Sequence, residues 1–189
     1  MHALRTHLAL KNPRFRCRDV SGQHHLTVNL TSLAGAPATL RELEALRDFA
    51  GAQYAFLEQL YRELNGVTLH GHRDTFGLVV ARVEQLPEFA SDWKDSFYEE
   101  EDDLYPFQRE GIAFATIAHS GNYFAAHNGK IYYDDHDGGD DSVWGEDLES
   151  FFERALLEPA KFLYDAGCYT RYSDGKSDRQ FIPEEFLHD

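Results

Sequence analysis

The dipeptide Asn128-Gly129 stands between Asn122-Tyr-Phe-Ala-Ala-His127 and Lys130-Ile-Tyr-Tyr133, two runs of strand-forming residues. Both residues of the dipeptide tolerate the positive φ of a type I′ turn, which makes this the strongest short-range hairpin signal in the chain. A third run, Gly111-Ile-Ala-Phe-Ala-Thr-Ile-Ala118, precedes the hairpin across a turn at His119-Ser-Gly121. The spacing predicts an antiparallel meander over residues 111–133, and the rest of the chain must cover its faces.

Helical patterns flank that meander. Thr39-Leu-Arg-Glu42 has the form of a capping box, and the apolar positions from Leu43 to Leu64 keep a helical period. Gly51 is placed to split this helix, and Asn65-Gly66 to stop it. Phe76 to Val83 is β-branched and short, which predicts a strand closed by Pro87. Asp147 is set to cap a helix with Leu148, Phe151, Phe152, Ala155 and Leu156 on one face, and Pro159 to start another ending at Gly167. Arg14 to Arg18 and His25 to Leu30 alternate around Ser21-Gly22 and predict an N-terminal hairpin at an edge. Asp174-Gly175 predicts a turn, after which Phe181 to Leu187 should dock by apolar side chains. Helices around a central meander, without βαβ alternation, define an α+β fold with a mainly antiparallel sheet. One domain is expected over residues 1–189: a core at about 40–157, an N-terminal hairpin at 1–34 and a C-terminal extension at 158–189.

Charge narrows the partners. The chain has 18 basic and 33 acidic residues, a net charge of −15. Residues 1–30 hold Arg5, Lys11, Arg14, Arg16 and Arg18 against Asp19 alone, so the acid excess lies in the remainder. Such a body repels phosphate backbones and anionic lipid, which disfavours nucleic acid and membrane as ligands and favours a basic protein partner. No run reaches the roughly 18 apolar residues of a membrane helix, and Met1-His-Ala-Leu-Arg-Thr-His7 lacks a signal-peptide core, so a cytoplasmic location is expected. Cys17 and Cys168 form no CxxC and are expected to be reduced thiols.

From Glu88 to Glu110 acids crowd between rings: Glu99, Glu100, Glu101, Asp102 and Asp103 form an unbroken run, with Phe89, Trp93, Phe97, Tyr105 and Phe107 on either side. A partly helical excursion anchored by those rings fits better than disorder. Asp134, Asp135, Asp137, Asp140 and Asp141 crowd around His136 and two glycines. Aligning Gly138 with position 6 of a calcium-binding EF-hand loop puts Tyr133 at position 1 and Trp144 at position 12, so that loop fails. The favoured reading is a strand end and a glycine-rich turn whose aspartates face solvent.

His70-Gly-His72 has the two-residue spacing of metal ligands on an extended segment, but two ligands are too few. Ser120 lacks the Gly-x-Ser-x-Gly elbow, and no GxGxxG or GxxxxGK[ST] occurs. No cofactor is therefore expected. The rings Tyr123, Phe124, Tyr132 and Tyr133 lie in strands, where alternate side chains enter the core.

The order of these segments resembles the SUKH superfamily, which holds Smi/Knr-type cell-wall assembly regulators and bacterial immunity proteins. The likeness rests on the helix ending Leu57-Glu-Gln-Leu-Tyr61-Arg-Glu-Leu-Asn65-Gly66, the Trp93-bearing acidic segment, the hairpin Gly121-Asn-Tyr-Phe…Gly129-Lys-Ile-Tyr-Tyr-Asp-Asp-His-Asp, and Asp147-Leu-Glu-Ser-Phe-Phe. It covers residues 40–157. It implies an α+β domain without enzymatic activity that neutralises a toxin, often a basic nuclease, and acidic charge would steer it to such a partner. The binding surface expected from this reading joins Glu99, Glu100, Glu101, Asp102 and Asp103 to Asp134, Asp135, Asp137, Asp140 and Asp141. Trp93, Tyr132, Tyr133 and Trp144 are its expected aromatic anchors. Two alternatives stand beside it: a metal-dependent hydrolase using the Asp134–Asp141 cluster with histidines, and a regulatory or scaffold protein. The oligomeric state is not legible from one sequence.

Overall fold

In the computed structural model of the chain, residues 1–11, 13–73, 75–97, 104–136, 142–157, 159–164 and 171–187 are described. A short helix, α1 (His2–Leu8), precedes the expected N-terminal hairpin of β1 (Arg14–Asp19) and β2 (His25–Asn29). Through Leu30 the chain passes directly into β3 (Thr31–Ala34) of a second sheet. The capping box forms at α2 (Leu40–Ala50): Glu42 N–H donates to the Thr39 hydroxyl at 3.3 Å, and Thr39 N–H donates to the Glu42 carboxylate at 2.6 Å. Gly51, at φ 51°, does break the helix, and a 3-10 turn leads into α3 (Tyr54–Tyr61).

β4 (Val67–Gly71) and β5 (Leu78–Val80) follow. β5 is shorter than the run from Phe76 to Val83 suggests, because the backbone turns away at Arg82. Arg82 N–H donates to the Gln85 side chain at 3.0 Å, and Val83 N–H to Asn65 Oδ1 at 2.8 Å. Pro87 sits in the first turn of α4 (Leu86–Asp95), where its missing N–H costs nothing, and α5 (Pro106–Glu110) leads into the meander. The meander consists of β6 (Ile112–Ile117), β7 (Tyr123–His127) and β8 (Lys130–Asp134), and Asn128 and Gly129 turn between the last two at φ 49° and 77°. β9 (Ser142–Gly145), α6 (Leu148–Leu157), α7 (Pro159–Tyr164) and β10 (Phe181–Leu187) complete the order. Ser150 N–H donates to Asp147 Oδ1 at 2.7 Å, the cap expected before α6. The expected helix end at Gly167 and Cys168 lie outside the described residues.

The fold is α+β. Strands β3 to β9 form a seven-stranded sheet in sequence order, antiparallel at every step, and β10, β1 and β2 form a three-stranded sheet. Two expectations change. The N-terminal hairpin is not simply an edge, because β1 lies between β2 and β10. The tail does more than dock: Phe181 to Leu187 pairs along β1, with Pro183 opposite Cys17 where the register shifts. Proline is tolerated there because β10 is an edge strand.

One buried cluster spans both sheets, from Leu4, Phe15, Cys17 and Val28 through Leu69, Phe114, Phe124 and Ile131 to Phe151, Phe162 and Phe181. Cys17 is a free thiol inside it; burial, with the Glu184 carboxylate adding, pushes it up to about 12, so it stays unreactive at neutral pH. No helix among the described residues is long and apolar enough to cross a membrane.

Candidate functional site

Strand geometry sends successive side chains of β8 to opposite faces. Ile131 and Tyr133 enter the main core, while Tyr132 and Asp134 project from the other face, where α4 and α5 lie. That second face is floored by Ala113 and Ala125, small enough for the helices to approach, and roofed by Trp93 and Phe107. Phe107 stacks on Tyr132 at 4.9 Å, Trp93 meets Phe97 edge-on at 5.2 Å, and Phe89 meets Tyr123 edge-on at 5.3 Å. Offset and edge contacts of this kind suit the ring quadrupoles.

A single carboxylate ties the layer together. The Trp93 indole N–H donates to Asp134 Oδ2 at 2.9 Å, and the Gln108 side-chain amide donates to Asp134 Oδ1 at 2.6 Å. Gln108 Oε1 in turn accepts from Tyr105 N–H at 2.9 Å, which fixes the orientation of its amide. Trp93 belongs to α4 and Gln108 to α5, the two helices that bracket residues 98–103. Asp134 therefore holds α4 and α5 against the end of β8.

The exit of β8 is also fixed. Asn122, 1% exposed, accepts at Oδ1 from the His136 backbone N–H at 3.1 Å and from the His136 ring at 2.5 Å, and its amide donates to the Tyr133 hydroxyl at 2.5 Å. On the outer side of α4, Glu88, Asp92 and Asp95 are exposed, and Asp135 is half-buried. Burial pushes the Tyr123 hydroxyl above its ordinary value, and the Asp92 carboxylate adds to that rise.

Of the residues expected to form the binding surface, several are placed elsewhere than at the surface. Trp93 is 0% exposed, Tyr133 4% and Trp144 6%, which corrects their reading as surface anchors. Trp93 is the keystone under α4. Tyr133 and Trp144 belong to the main core, where their rings lie 5.0 Å apart, and the Arg154 guanidinium covers the Trp144 ring at 3.7 Å. Asp134, 7% exposed, is likewise a buried acceptor and not a solvated acid. The Trp93 and Gln108 donors explain why a carboxylate is tolerated there. Tyr132 alone of the four rings is half-buried on the outer face. Glu99, Glu100, Glu101, Asp102, Asp103, Asp137, Asp140 and Asp141 lie outside the described residues.

The pair His70 and His72 does not converge. His70 is fully buried at φ 60°, with Nε2 3.2 Å from the Ala155 carbonyl and its ring against His7 and Phe15. His72 faces the Asn29 and Ser173 carbonyls, at 3.1 and 3.2 Å. Among the described residues no group of three or more His, Cys, Asp or Glu side chains could hold a metal ion. Sequence reasoning missed Gln108 and Asn122. The one local signal for Gln108 was its place three residues after Tyr105, at a helix start; nothing local marks Asn122.

No model of a known protein family matches the chain, and no curated protein matches it significantly.

Proposed function

We propose that the protein is a non-catalytic binding protein of the cytoplasm whose acidic corner captures a basic protein domain, as an immunity protein neutralises a basic, nuclease-type toxin. The observation that carries this reading is the convergence of Trp93 and Gln108 on Asp134, which ties α4 and α5 to the end of β8. The net charge of −15 and the resemblance to the SUKH superfamily support the same reading. Clustered charge of one sign accelerates encounter with an oppositely charged partner and selects against acidic ones. Half-buried Tyr132 and exposed Tyr105 supply apolar contact beside that charge.

The test is the association rate with a basic toxin domain encoded beside the protein's gene, at low and at physiological salt. Replacing Asp135, Asp137, Asp140 and Asp141 together by asparagine should leave the fold intact, slow association at low salt by about tenfold and flatten its salt dependence. Unchanged low-salt kinetics in that variant, or no basic binding partner at all, would sink the proposal.

A further inference from the structure

Several cations on this acidic chain sit against carboxylates: Arg5 on Glu63 at 2.9 Å, Arg62 on Glu58 at 2.7 Å, Lys130 on Glu146 at 2.7 Å. Lys94 and Arg109 differ. Among the described residues neither forms an ion pair, and both line the same cleft, of about 470 Å³, whose lining does not include Asp134. A cavity of a few hundred Å³ is the usual size of a small-molecule site.

The cleft follows from three local features. Gly51 breaks α2 from α3, and a Cβ placed there would meet nothing within 4 Å, so the break leaves open space. One side of α4 turns Pro87, Ala90, Ser91 and Lys94 toward that space at helical spacing, and small side chains at its upper end keep it empty. At the third wall α5 turns into β6 at Gly111, where a Cβ would lie 2.2 Å from the Phe107 carbonyl oxygen. Only glycine permits that approach, and Arg109, two residues before it, also lines the cleft. Phe49, 37% exposed, adds an aromatic ring to the lining.

We infer that this cleft binds a small organic anion, its carboxylate or phosphate held by Lys94 and Arg109 and its apolar body lying against Phe49 and the alanines. Glu110 also lines the cleft and sets a limit: two cations against one acid accept one oxyanion and reject a cationic ligand. The overall negative charge does not prevent this, because interactions between exposed charges are screened beyond roughly 8 Å at physiological salt while the two cations act at contact. Arginine adds a planar fork that matches both head groups. The inference is independent of the acidic corner and needs no protein partner.

The experiment is an NMR titration of the full ¹⁵N-labelled chain with phenyl phosphate, benzoate, inorganic phosphate and benzylamine. Saturable shifts at the amides of residues 50–52 and 90–94 with an aryl anion are expected, with inorganic phosphate about tenfold weaker or more and benzylamine silent. The better of phenyl phosphate and benzoate identifies the head group. Lys94→Gln with Arg109→Gln should weaken the aryl anion by about tenfold or more, and Ala90→Leu, which fills the cleft without touching charge, should abolish binding. Should Ala90→Leu disturb folding, the exposed double variant still decides. Equal shifts with benzylamine, no saturable binding by either aryl anion, or an unchanged affinity in the double variant would overturn the inference.

Discussion

The two faces of the seven-stranded sheet are made by the same strands and are built differently. On the inner face Phe124 meets Tyr133, Trp144, Phe151 and Phe162 at centroid distances of 5.1 to 5.6 Å, beneath α6 and α7. On the outer face Ala113 and Ala125 leave little to pack, and α4 and α5 are held by a few ring pairs and the Asp134 carboxylate. Apolar area and close packing seal the first layer; directional bonds fasten the second. A layer with few buried contacts is the one that opens at low cost, and binding surfaces are drawn from such regions.

Four measurements bear on that contrast. Phe124→Ala, which removes the ring at the centre of the inner layer, should lower stability in urea by about 3–5 kcal/mol. A loss below about 1 kcal/mol would mean the inner face is not the main source of stability. Asp134→Ala strands the Trp93 indole and frees the Gln108 amide, and a cost of about 2–3 kcal/mol is expected. Hydrogen exchange should then speed up in α4 and α5 while β6 and β7 amides stay protected. Uniform loss of protection would make the two layers one cooperative unit.

Acidification should act on the inner side. Burial lowers the His70 imidazole to about 3, with the neighbouring His7 lowering it further and the Ala155 carbonyl opposing. The unfolded chain takes up that proton near pH 6.5, so stability is complete above that pH and falls as pH drops toward 3. Between pH 7.5 and 5.5 the loss from this one group should be about 1.4 kcal/mol. A stability that rises or stays flat over that interval would contradict a neutral, buried His70. The smallest effect belongs to the outer rim: Tyr105, 48% exposed, stacks on Phe107 only at 6.1 Å. Tyr105→Ala should change stability by no more than about 0.5 kcal/mol.

What was legible in the sequence was what neighbours decide. The capping box at Thr39 and Glu42, the break at Gly51, the turn at Asn128-Gly129 and the cap at Asp147 all depend on residues a few positions apart. β3, β4 and β9 escaped because short strands are defined by their partners, and those partners are set by the whole sheet. β10 escaped because Pro183 argues against a strand unless that strand is known to lie at an edge. The anchoring rings were misjudged for a related reason. Alternation says that Tyr132 and Tyr133 face opposite ways, but not that both faces are roofed, nor that Trp93 will find a carboxylate from a strand distant in the chain.

The union of β1 with β10 imposes an order on biosynthesis. The strand Arg14–Asp19 leaves the ribosome well before Phe181–Leu187, so one of its two edges has no partner until that segment has emerged. The seven-stranded meander, paired step by step along the chain, can assemble in the interim. The smaller sheet therefore closes after the larger one, and until then its half-made edge is open to the wrong strand.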